Sequence, residues 1–251
     1  MPRTKSLKER LLSRHYPTFH GAVAECLRSG ETGDSALAEA LLSVTKDRRV
    51  VIAAALGDIR GDAGTEALRN AIDGPGASRD LRCAGLLALA KRVGASASAD
   101  FARHLASSDF VVKSYAMICL AGAGDDRAWD HALKRLDQIV DQPRRSADDP
   151  SEVAITIGYL ARHTLAMGSS RSIALVRWIR KHWERLTDKE RRWLARHWPG
   201  CVPNGPEVAS VVPPDAEAIR QAVRGPLFDA PAFDLDGPST AGSPDDDDDD
   251  W

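Results

Sequence analysis

No apolar run in this chain approaches the ~18 residues that a membrane-crossing helix requires. Val50 to Leu56 is as long as any, so no membrane partner is expected. Cysteine is scarce and dispersed: Cys26, Cys83, Cys119 and Cys201 form no close pair. That excludes a disulfide framework and fits small buried thiols in a reducing compartment. The histidines, at His15, His20, His104, His131, His163, His182 and His197, are scattered as well, so no metal or other cofactor is implied. Aromatics make up only 6% of the chain, which disfavours a β-sandwich and suits closely packed helices. Met1 to Arg14 is polar and basic with no following apolar stretch, unlike a secretory signal. A cytoplasmic location is the resulting expectation. Catalytic signatures are missing too: GxSxG, GxxxxGK[ST] and HExxH do not occur. Gly57, Gly61 and Gly64 fall at a turn between helices, without the preceding strand of a dinucleotide site. No enzymatic activity is expected.

What the chain does have is a period of 31 residues. Phe19, Val50, Leu81 and Val112 fall in register, as do Ala22, Ala53, Ala84 and Tyr115. Ala36, Leu37, Ala40 and Leu41 match Ala67, Leu68, Ala71 and Ile72 in the second half of the unit. A period in this range marks a stack of supersecondary units. Each unit reads as two helices. In the second, Val50 to Ile59 is helical, Arg60 to Thr65 supplies a glycine stop and a polar N-cap, and Glu66 to Ile72 returns.

Val50, Ala53, Ala54, Leu56, Gly57 and Ile59, followed by Gly61-Asp62 and the returning helix, resemble the bacterial HEAT-like repeat first associated with phycobilisome lyases. The resemblance covers residues 19–136 and implies an all-α solenoid that binds partners along an extended face. The expected fold is about five to six antiparallel helix pairs over 1–199, near 19–49, 50–80, 81–111, 112–140, 151–169 and 170–199. Asp141 to Pro150 is a loop insertion that breaks the register, and Thr187 to Glu190 reads as a capping box.

Residues 200–251 differ in composition. Their prolines predict a mostly disordered tail with one short helix near 215–224, where Ile219 and Val223 lie one turn apart. Leu227, Phe228 and Phe233 follow, either folding back on the last helix pair as a cap or serving as a linear motif. The tail holds twelve acids against Arg220 and Arg224, a net −10, while residues 1–199 carry +8. It ends in Asp245, Asp246, Asp247, Asp248, Asp249, Asp250 and Trp251. Six adjacent carboxylates repel one another and stay solvated, and a terminal indole suits an apolar pocket with a basic rim. The pattern resembles the tails of bacterial single-stranded DNA-binding proteins, which implies a docking peptide; a purely solubilising tail is the alternative.

The opposite charge gathers between Arg171 and Trp198. Arg177, Arg180, Lys181, Arg185, Arg191, Arg192 and Arg196 are interleaved there with Trp178, Trp183, Trp193 and Trp198. The tryptophans can close the open end of the stack or stack on bases, and the cations can bind a polyanion or the chain's own tail. Arg69, Arg103, Lys134 and Arg135 are further candidate contact charges on returning helices. The leading expectation is a non-catalytic adaptor or regulator with a protein partner. The alternative is a nucleic-acid-binding solenoid related to the HEAT-like alkylated-DNA glycosylases, with Asp126, Trp129 and Asp130 as imaginable site residues.

Overall fold

The computed structural model describes residues 6–144, 151–223 and 228. These residues are all-α, with no strand among them. Helix α1 (Leu7–Leu11) precedes α2 (Tyr16–Arg28), α3 (Glu31–Ser43), α4 (Lys46–Gly57), α5 (Asp62–Asp73), α6 (Arg79–Val93) and α7 (Ser98–His104). Next come α8 (Phe110–Ala123), α9 (Trp129–Ile139), α10 (Glu152–Arg162), α11 (Ser170–Lys181), α12 (Asp188–His197) and α13 (Ala216–Val223). Among the described residues no helix is long and apolar enough to cross a membrane.

The helices start where short polar side chains accept backbone N–H groups. Ser78, Asp109, Ser151 and Ser169 cap α6, α8, α10 and α11. Ser6 with Glu9, and Thr187 with Glu190, form capping boxes, the second as the sequence indicates. One start differs from expectation. Helix α5 begins at Asp62 rather than after Thr65, because the cap oxygen comes from another helix: Asp34 of α3 accepts the Gly64 N–H at 3.0 Å. A Cβ on Gly64 would lie 2.3 Å from that carboxylate, so only glycine admits it.

The 31-residue period becomes layering. Helix α4 packs on α6, α6 on α8 and α8 on α10, while α3 packs on α5. Phe19, Leu81 and Val112 are buried at equivalent places, and Leu37, Leu41, Leu68 and Ile72 line the returning helices. Burying such side chains contributes about 1.5–3 kcal/mol each relative to exposure. The step of 31 from Val112 falls on Pro143, however, and the next helix begins only at Glu152. Helix α10 is then enclosed by α8, α9 and α13, so Val153 to Ala161 are buried all round.

The segment beyond Pro199 is more ordered than its prolines suggest. Cys201 and Val211 are fully buried, Trp198 Nε1 donates to the Val212 carbonyl at 2.8 Å, and Arg180 donates to the Gly200 and Pro206 carbonyls. Helix α13 occupies the place expected for the short helix. Among the described residues its main packing is on α10 and α8 rather than on the last helix pair, and it buries Ile219. Phe228 rests on Gly122 of α8, where a Cβ would come within 2.4 Å of its ring. Leu227 and Phe233 lie outside the described residues, as do Asp245 to Trp251.

Candidate functional site

Where the register breaks, the first halves of α8 and α10 leave a groove of about 300 Å³. Val111, Tyr115 and Ile118 project from one face of α8, at i, i+4 and i+7. Val153 and Ile155 of α10 and Ile139 at the end of α9 complete its apolar wall. Phe110, at the mouth, is 43% exposed, which is unusual for a large ring in a chain with few.

The rim is polar but internally neutralised. Arg135, buried on α9, stacks its guanidinium 4.8 Å over Phe110 and donates from Nε to Glu152 at 2.8 Å. Ser114 Oγ donates to the second Glu152 oxygen at 2.6 Å. Deeper in, Arg144 and Ser151 donate to the buried Glu190, at 2.9 and 2.5 Å. Burial opposes charge on Glu190, but these bonds and one from the Thr187 N–H hold its carboxyl below the usual range. Carboxylates so occupied do not present a free charge to a ligand. The groove surface that remains is mainly apolar, with the buried Arg135 Nη2 as a rim donor left without a partner.

A second cavity, also about 300 Å³, lies at the carboxy-terminal ends of α8 and α10 between Asp125, Asp126, His163, Leu165 and Pro213. Arg162 spans it from below, donating to the Ala121 and Gly124 carbonyls that end α8. Its Nε also donates to His163 Nε2 at 3.1 Å. Burial first, then Arg162, pushes the His163 pKa down to about 4. The ring is thus neutral near pH 7 with its Nε2 lone pair taken, a poor arrangement for a general base. Leu165 stands in the left-handed region at φ 64 and is 66% exposed.

The glycosylase-like residues do not converge. Trp129 is buried and donates to the Leu160 carbonyl at 3.1 Å, Asp126 pairs with Arg171 at 2.8 Å, and Asp130 is exposed. The four cysteines are buried; burial pushes Cys26 and Cys83 up to about 11 and Cys201 up to about 12, so none is a ready thiolate. Among the described residues, no His, Cys, Asp or Glu cluster is placed to hold a metal ion.

The basic residues of α11 and α12 divide into two sets. Arg180 turns inward to backbone carbonyls, Arg185 pairs with Asp141 at 3.0 Å, and Arg191 pairs with Asp188 at 2.6 Å. Arg177, Lys181, Arg192 and Arg196 are exposed with no hydrogen bond or ion pair among the described residues. Trp178 and Trp198 are buried, the former donating to Asp137 at 2.7 Å. Of the other candidate charges, Arg69 pairs with Asp100, Arg103 with Asp73 and Asp100, and Arg135 is buried; Lys134 alone is exposed and unpaired among the described residues. The groove residues escaped sequence reasoning. Their only signal was the insertion after Val140.

No protein family and no curated protein matches the chain.

Proposed function

We propose that this chain is a non-catalytic adaptor whose layered helix pairs form a HEAT-like solenoid and whose α8–α10 groove receives an apolar segment of a protein partner. The observation that carries the reading is the open apolar wall of Val111, Tyr115 and Ile118 beside the exposed Phe110. Its polar rim is already neutralised, so a ligand gains from burying apolar surface and meets no uncompensated charge. The four buried, unpaired thiols fit a reducing cytoplasm. The acidic segment Asp245 to Trp251 recruits a second partner or shields the basic helices.

The test uses the full chain with a photo-reactive side chain at Phe110, so that a bound partner segment is crosslinked and mapped. Tyr115→Lys places a charge in the groove and is expected to abolish the crosslink. Leu42→Lys, on the exposed side of α3, is expected to leave it intact. Equal crosslinking by both variants defeats the reading.

A second reading rests on a separate observation. Arg177, Lys181, Arg192 and Arg196 make no hydrogen bond or ion pair among the described residues and suit a polyanion, including nucleic acid.

A further inference from the structure

The stripe of α8 that lines the groove does not stop at Ile118. Val111, Tyr115, Ile118 and Gly122 follow one another at four, three and four residues, so they share one face of the helix. Phe228 already occupies the far end of that stripe, seated on Gly122 where even a Cβ would collide. It is partly buried and packed against the core. The stripe is therefore half filled by the chain's own aromatic ring, and the remaining half is the open groove.

Phe228 is also where the described chain ends. The residues that follow are Asp229, Ala230, Pro231, Ala232, Phe233, Asp234 and Leu235. Along α8, Ile118 lies about 6 Å and Tyr115 about 10 Å from Gly122. Five extended residues span about 16 Å, so Phe233 reaches the groove with slack. Pro231 cannot continue a helix and favours an extended path. A cavity of about 300 Å³ has room for an aromatic side chain.

We propose that the segment Asp229 to Leu235 of this chain lies along the α8 stripe and places Phe233 in the groove between α8 and α10. This rests on the reading of that groove as a peptide-docking site, and it names the ligand class: an extended segment with two aromatic residues five positions apart. A partner carrying the same spacing displaces Phe233 while Phe228 holds the segment near by, at high effective concentration.

The full chain tests this through engineered thiols. Ser114→Cys on the groove wall is combined with Asp234→Cys, next to Phe233. The control combines Leu42→Cys, exposed on α3, with the same Asp234→Cys. Under glutathione disulfide, the 114–234 bond is expected to form roughly tenfold faster than the 42–234 bond. Phe233→Ser in the same background is expected to remove that advantage. Equal rates, or an advantage that survives Phe233→Ser, overturn the proposal.

A second measurement leaves the groove untouched. The chain has three tyrosines, so fluorotyrosine labelling gives three resolvable signals. Phe233→Ser is expected to move the Tyr115 signal and leave Tyr16 and Tyr159 in place; an unmoved Tyr115 signal counts against the proposal. Should these fail while Tyr115→Lys still abolishes partner crosslinking, the groove remains a docking site and only its own-chain occupant is lost.

Discussion

Asp34 of α3 and Arg92 of α6 meet at 2.9 Å with each side chain 2% exposed, and the pair holds together a corner shared by four helices. Arg92 also donates to the Leu56 carbonyl at the end of α4 and to the Ile59 and Gly61 carbonyls in the turn to α5, while Asp34 caps α5 through the Gly64 N–H. Losing one member leaves the other charged, buried and unpaired. Arg92→Ala is therefore expected to cost about 3–5 kcal/mol. Lys8→Ala, which breaks the largely exposed pair with Glu39, is expected to cost under about 1 kcal/mol. Urea unfolding of the two variants checks the contrast, and equal losses would mean that the buried corner contributes nothing special.

The contact of Phe228 with Gly122 predicts a local effect without global unfolding. Gly122→Val fills the seat of the ring and should lift the segment from α8. Trypsin cleavage after Arg220 or Arg224 is expected to quicken roughly fivefold, as for a segment with a lowered opening free energy. Gly21→Val is the comparison, since a Cβ there meets nothing within 4 Å. Matching cleavage rates in the two variants would show that Phe228 does not hold the segment.

Local chemistry was legible in the sequence, and relative placement was not. Thr187 and Glu190 announce their capping box because both partners lie within four residues. Phe19, Leu81 and Val112 announce the layering because three repeats bury the same position, while Val50 of the second is half-buried. Asp34 does not announce that it caps α5, since its partner Gly64 is thirty residues away. Nor does the charge of Arg180 reveal that it faces carbonyls while Arg177 faces solvent, because helix rotation depends on the neighbours. The amphipathic pair Ile219 and Val223 identifies a helix but not the wall it covers. The groove is less legible still: it is a gap between α8 and α10, set by how far the insertion displaces the second helix.

His163 makes stability sensitive to mild acid. Its pKa in the folded chain is about 4, against about 6.5 for a free histidine, so between those values the unfolded chain binds more protons. Stability is then complete above about pH 6.5 and declines as pH falls towards 4. Screening at a partly exposed ring limits the loss at pH 5 to about 1 kcal/mol. His20 and His104, also lowered chiefly by burial, add in the same direction. Chemical denaturation of the chain and of His163→Asn at pH 7 and pH 5 checks this: the variant should lose less on acidification, and an identical loss would remove His163 from the account.

The four unpaired cations of α11 and α12 separate the two functional readings. Of the arginines whose side chains are described, only Arg14, Arg177, Arg192 and Arg196 lack a hydrogen bond or ion pair among the described residues. Three of these, with Lys181, stand on two neighbouring elements of the sequence, which is where the sequence placed its polyanion site. If the site serves a nucleic acid, single-stranded oligonucleotide should bind with a log–log salt slope of about −3 or shallower, as four neutralised phosphates allow. Deleting Asp245 to Trp251 should strengthen that binding, because a tethered run of acids competes at high effective concentration. Replacing the four cations by Glu should abolish it. Absence of binding at low salt, with and without the acidic run, would leave these cations to a protein partner. The same deletion should then alter partner capture instead, since Trp251 and its six aspartates would remain the only strongly acidic counterpart that this chain itself provides.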